Sequence, residues 1–143
     1  MSRLGRRAIA LDVGEKRIGV AVSDEGGTIA SPLTILDRGR GRDGLGEVAG
    51  LARKWEADVL VVGMPTGMSG REGPQAEATR AYAQELAGVL EPDLPLVFWD
   101  ERLTTAIADR VLRERGARRE ERRGQRDAIA AAVILQGYLD SRR

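Results

Sequence analysis

The segment Ala8-Ile9-Ala10-Leu11-Asp12-Val13 is apolar at every position but one and stops at Gly14. A strand of this kind buries both of its faces, so it predicts the centre of a sheet rather than an edge. After Gly14-Glu15-Lys16, the run Arg17-Ile18-Gly19-Val20-Ala21-Val22-Ser23 reads as a second strand, and the short link favours a hairpin. Asp24-Glu25-Gly26-Gly27 reads as a turn. Thr28-Ile29-Ala30 then begins a third strand, which Pro32 should end or push to the sheet edge.

Beyond this meander, helical and strand periods alternate. Leu45, Val48, Ala52 and Trp55 share one helical face behind an Arg/Gly loop at 38–44, and Val59-Leu60-Val61-Val62-Gly63 reads as a buried strand. Pro74 suits the first turn of a second helix with the stripe Ala76, Thr79, Ala83, Leu86 and Leu90, before a fifth strand at Pro95-Leu96-Val97-Phe98-Trp99. Thr104 or Thr105 can N-cap a third helix that Gly116 closes, and a last helix runs from about Arg126 to Asp140. The order βββαβαβαα predicts an α/β fold: a mixed five-stranded sheet, its first three strands antiparallel and the rest in right-handed βαβ units, flanked by about four helices. With 143 residues, 42% of them apolar, one core is expected, so residues 1–143 read as a single domain.

The chain contains no histidine and no cysteine. This removes the commonest general base, all thiol chemistry, and the ligands on which zinc, copper, haem and iron–sulfur sites depend. Any metal would be held mainly by Asp and Glu oxygens, which points to magnesium or manganese. The formal charge is only +1, but it is unevenly spread. Residues 72–101 carry a net −6 and residues 102–126, with nine arginines, a net +5, so a basic patch can exist on a near-neutral protein. No apolar run reaches the roughly 20 residues of a membrane span, and Asp12 interrupts the only apolar stretch near the N-terminus, so neither membrane nor export is expected. A cytoplasmic location follows by elimination.

In open α/β sheets, sites form beyond the carboxyl ends of parallel strands. Asp12 lies at that end of the first strand, and Asp100 and Glu101 at that end of the fifth. Asp127 heads the inward stripe Ala131, Ile134 and Tyr138 of the last helix. Each has a purely structural explanation: a turn before Gly14, a pairing with Arg102, or a helix N-terminus. Together they are harder to dismiss, since three clustered anions repel one another unless cations neutralise them. One or two magnesium or manganese ions would do so, and two ions about 3.5–4 Å apart cut phosphodiesters without a histidine. Topology does not choose between Asp100 and Glu101.

Leu11-Asp12-Val13-Gly14 with Arg17-Ile18-Gly19-Val20-Ala21, Val62-Gly63-Met64-Pro65, Met68-Ser69-Gly70, Asp100-Glu101-Arg102-Leu103-Thr104-Thr105 and Asp127-Ala128-Ile129-Ala130-Ala131 resemble, in order, the YqgF (RuvX-like) family. The Asp-Glu-Arg-Leu-Thr-Thr string is the most specific of these. The resemblance implies a three-layer ribonuclease H-like fold of the Holliday-junction-resolvase type and a nuclease maturing the 5′ end of precursor 16S ribosomal RNA. By position it makes Asp12, Glu101 and Asp127 the catalytic and metal-holding acids, with Asp100 in support.

Arginines suit a nucleic-acid partner. Arg17 is close in sequence to Asp12, Arg102 follows Glu101, and Arg122, Arg123 and Arg126, with Arg118 and Arg119, crowd the approach to Asp127. Only five aromatic residues are present, so recognition should rest on backbone and shape rather than stacking. The leading expectation is a metal-dependent endonuclease of structured RNA or branched DNA. One that cuts two strands symmetrically would act as a homodimer. A nucleic-acid-binding module without catalysis would need the arginines but not the acids. An ATPase lobe is the weakest alternative, because such folds bind nucleotide between two lobes and no Gly-x-x-x-x-Gly-Lys-Ser/Thr string is present.

Overall fold

β1 (Ala8–Val13), β2 (Arg17–Ser23) and β3 (Ala30–Asp37) form an antiparallel meander, to which β4 (Val59–Met64) and β5 (Leu96–Asp100) add in parallel on the far side of β1. The resulting order is β3-β2-β1-β4-β5, with the apolar first strand in the middle as its sequence requires. This is a computed structural model, and it describes residues 7–39, 42–65, 73–103, 110 and 126–142. The helices among them are α1 (Leu45–Lys54), α2 (Pro74–Ala87) and α3 (Arg126–Ser141). The helix expected between Thr104 or Thr105 and Gly116 lies outside the described residues except for Arg110, which is helical.

Strand alternation divides the interior into two cores. Ala8 and Ala10 of β1, Ala21 of β2, Ala30 of β3, and Val59 and Val61 of β4 pack against Ala131, Ile134, Leu135 and Tyr138 of α3. The opposite parity, Ile9, Leu11, Ile18, Val20, Leu60 and Val62, packs against Leu45 and Val48 of α1 and Tyr82 and Leu86 of α2. Small residues on one face let a single helix lie close; large ones on the other fill the space beneath two. The result is three layers, helix–sheet–helix.

One sequence expectation needs adjustment and another, on Pro32, is decided between its two outcomes. The third strand begins at Ala30, not Thr28, because the N–H groups of Thr28 and Ile29 donate to Asp24 Oδ1 at 2.7 and 2.9 Å and close a loop instead. Pro32 does not end the strand. It lies on an edge strand, where a missing N–H costs no ladder bond, and the β2–β3 register shifts between Val20 and Ala21 beside it.

Candidate active site

The same alternation that builds the α3 core also aims the polar residues. On β1, Asp12 continues the parity of Ala8 and Ala10. On β2, Arg17 and Gly19 continue that of Ala21; on β4, Gly63 continues that of Val61. Val97 and Trp99 of β5 pack on this core, and Glu101, in the 3-10 turn Glu101–Leu103, follows at the next step. Asp12, Gly63 and Glu101 lie at the carboxyl ends of β1, β4 and β5, and Arg17 and Gly19 at the adjoining start of β2, where Gly19 meets the first turn of α3.

Two glycines make the approach possible. Gly19 pairs with Asp12 across the β1–β2 ladder, and a Cβ there would overlap the backbone carbonyl of Asp127 and come within 2.9 Å of Ala128 N. The N-terminus of α3 therefore rests directly on β2 beside Asp12. A Cβ on Gly63 would sit 2.5 Å from Ile134 Cδ1 and 3.1 Å from Glu101 Oε1, which puts the Glu101 carboxylate over β4 next to β1. Sequence reasoning passed over both positions. The available signal was a glycine inside an otherwise well-formed strand, the usual mark of close backbone approach.

Burial raises the pKa of Asp12 to about 6, helped by the negative charge of Asp127. Burial also raises Glu101 to about 7, with further contributions from Asp12 and Asp100. Neither carboxylate makes a hydrogen bond or ion pair among the described residues. Asp127 differs, because Arg17 Nε lies 3.2 Å from its Oδ2. Asp12 thus couples to both of the other acids, yet among the described residues no three acidic groups close around a single point. Asp127 is instead paired with the guanidinium of Arg17.

Asp100, the alternative to Glu101, is engaged elsewhere. Arg102 Nη2 donates to its Oδ2 at 2.6 Å, Arg102 Nε reaches both carboxylate oxygens, and the Arg102 N–H donates to Oδ1 at 2.9 Å. Arg102 is therefore committed to Asp100. Arg126 is exposed at the start of α3, while Arg118, Arg119, Arg122 and Arg123 lie outside the described residues. The sequence reading also missed Arg38, whose Nη1 donates to Gly14 O at 2.5 Å while its guanidinium lies 4.9 Å from the centre of the Tyr82 ring. It fixes the turn that follows Asp12.

The raised carboxylates have a consequence for stability. Asp12 and Glu101 bind protons more tightly folded than unfolded, so the stability these two groups contribute is fully present below about pH 4 and is lost as pH rises through about 6 and 7. This is the reverse of the usual carboxylate case. In chelator, thermal melts between pH 4.5 and 8 should show a decline that Asp12→Asn reduces by the order of 2 kcal/mol.

The family model described as "RuvX: Holliday junction resolvase" matches residues 6–141. A protein of Symbiobacterium thermophilum is 50% identical over 132 residues, 92% of this chain and 90% of its own. One of Moorella thermoacetica is 48% identical over 134 residues, 94% of each chain. One of Roseiflexus sp. is 43% identical over the full length of both. All three bear the name "Putative pre-16S rRNA nuclease". Among solved structures, Thermus thermophilus RuvC in complex with a Holliday junction substrate superposes with a TM-score of 0.65 at 13% identity, covering 96% of this chain and 95% of that one. The fowlpox virus resolvase in complex with Holliday junction DNA gives 0.56 at 11% identity, covering 94% and 97%. At those identities the likeness establishes the fold alone.

Proposed function

The chain belongs to the RuvX family of Holliday junction resolvases, and from that premise we propose that it is a divalent-metal-dependent endonuclease, with Asp12, Glu101 and Asp127 as its metal-holding acids. The observation that carries this reading is the pair of half-buried carboxylates, Asp12 and Glu101, left without a counterion among the described residues on the sheet edge where such sites form. Their donor set is entirely oxygen, which suits magnesium or manganese, and Gly19 and Gly63 let the backbone of Asp127 and the carboxylate of Glu101 come close to the sheet beside Asp12. A divalent ion bound there would polarise the scissile phosphate and activate water.

The protein's own contribution is to hold and orient. Asp12 sits on the central strand of the sheet and supplies a rigid ligand position. Glu101 reaches over Gly63, and Asp127 arrives on α3 above Gly19. Arg17 and Arg126, with Arg122 and Arg123, supply positive charge for the phosphate backbone. The reading treats residues 1–143 as one nuclease domain. No helix among the described residues is long and apolar enough to cross a membrane.

The names of the relatives favour precursor 16S ribosomal RNA as substrate, and the family description favours the Holliday junction. We take the RNA as the primary substrate; symmetric cutting of a four-way junction would further require a two-fold dimer. Cleavage of a precursor 16S end and of a four-way junction, compared in magnesium and manganese, separates the two. Preferential, metal-dependent cutting of the RNA supports this assignment, and cutting of the junction alone overturns it. A binding module without catalysis draws on one observation, the engagement of Asp127 by Arg17. Failure of the protein to bind manganese at millimolar concentration would favour it.

Neighbouring acids give a finer test. Glu101→Gln should lower cleavage by about a hundredfold or more, as expected when a metal-holding group is lost. Asp100→Asn, which weakens the pair with Arg102, should cost less than about fivefold. Equal losses in single-turnover assays would contradict the assignment of Glu101.

A further inference from the structure

The three acids are not equivalent: Asp12 and Glu101 carry no described counterion, whereas Asp127 has one. Its partner, Arg17, is the first residue of β2 and shares the parity of Gly19 and Ala21, so its side chain rises from the sheet toward the first turn of α3. The contact is a single Nε donation at 3.2 Å. Neither Nη group of Arg17 makes a hydrogen bond among the described residues, and the side chain is 63% exposed against 33% for Asp127. An exposed, single-point pair is weak and readily exchanged. The Nη fork of the guanidinium is the part that matches a phosphate bidentately.

We propose that Arg17 is an exchangeable counterion: it neutralises Asp127 while no divalent ion is bound, and transfers to a substrate phosphate when one is. This rests on the carboxylate–metal reading above and adds to it a direct competition. A cation arriving at Asp12, Glu101 and Asp127 must displace Arg17 from Asp127, or draw Asp127 away from it. The released guanidinium is then available to a phosphate of the substrate. Ion binding and nucleic-acid binding are thereby linked through one side chain, and the two affinities should respond to its removal with opposite signs. An arginine that only bound phosphate would leave metal affinity alone, and one that only braced α3 would weaken both.

The test measures manganese binding directly, by the electron paramagnetic resonance of free Mn2+, for the wild type, Arg17→Gln and Arg17→Lys. Affinity for structured RNA is measured separately in calcium, another oxygen-preferring cation. Arg17→Gln should bind manganese about three- to tenfold more tightly, because a competing positive charge has gone. It should bind RNA about three- to tenfold more weakly, from the loss of one charge-assisted phosphate contact. Arg17→Lys, which keeps the charge without the fork, should fall between the two for both ligands. Unchanged or weaker manganese binding by Arg17→Gln, with the wild type still binding, would overturn the exchange and leave the metal site standing. A lowered melting temperature with both affinities reduced would assign Arg17 to bracing α3 and overturn it too. Absence of manganese binding in every protein would overturn the metal site and the exchange together.

Discussion

Asp12→Asn should reduce cleavage by about a thousandfold or more while the protein stays folded, the size of loss expected when a group essential to the metal-assisted step is removed. Asp12 lies one residue from the end of the central strand, with Leu11 fully buried before it, and its ladder partner is Gly19. Asparagine is nearly isosteric and keeps one oxygen, so packing should hold. It lacks the negative charge that draws a divalent ion. It also removes the cost of ionising a buried carboxyl whose pKa is raised to about 6, so at pH 8 in chelator the variant should melt above the wild type. Activity and stability should therefore move in opposite directions. Parallel cleavage assays and thermal melts check this. A variant that melts higher but still cuts would keep the electrostatic account of Asp12 and remove it from catalysis.

Gly19→Ala is expected to be the most damaging single-methyl change in the described structure. The added Cβ would overlap the Asp127 carbonyl and press on Ala128 N, both backbone atoms of a helix that cannot fold aside like the tip of a side chain. Overpacking of this kind costs roughly 1–3 kcal/mol and sometimes more. Relief requires the first turn of α3 to lift, which carries Asp127 away from Asp12. Displacement of a catalytic group by about 1 Å can cost a hundredfold, so activity should fall by at least that factor even where the fold survives. Gly63→Ala is the control: its nearest conflict is Ile134 Cδ1, a flexible side-chain end, so a smaller loss of stability is expected. Retention of wild-type melting temperature and activity by Gly19→Ala would mean that α3 does not rest on β2 as described.

Asp12 was legible in the sequence because it is the one charge in an apolar run, and a buried strand does not carry a charge without compensation. The central position of β1, the hairpin, and the βαβ order followed from the same run and from the periods beyond it, and the sheet order agrees. Glu101 was not separable from Asp100 by topology, because the two straddle the end of β5, where strand alternation passes into a 3-10 turn. What separates them is which acid Arg102 pairs with, Asp100, and the parity of Val97 and Trp99, and neither is decided until the strand is placed. Gly19 carried a local signal, but its significance depends on the first turn of α3, which no local pattern connects to β2. The same holds for Arg17, whose partner lies 110 residues away. Pro32 left two outcomes open, and its place on the edge strand decided between them.

Three carboxylates, from β1, the end of β5 and the start of α3, are expected to act as one divalent-metal site. Manganese titration of the wild type, Asp12→Asn, Glu101→Gln and Asp127→Asn in one buffer at pH 8, with free Mn2+ counted by electron paramagnetic resonance, tests it most directly. The prediction is a saturable site in the wild type at millimolar concentration or below, weakened at least about tenfold in each variant by the loss of one anionic ligand. Manganese binding that is the same in all four proteins would contradict it.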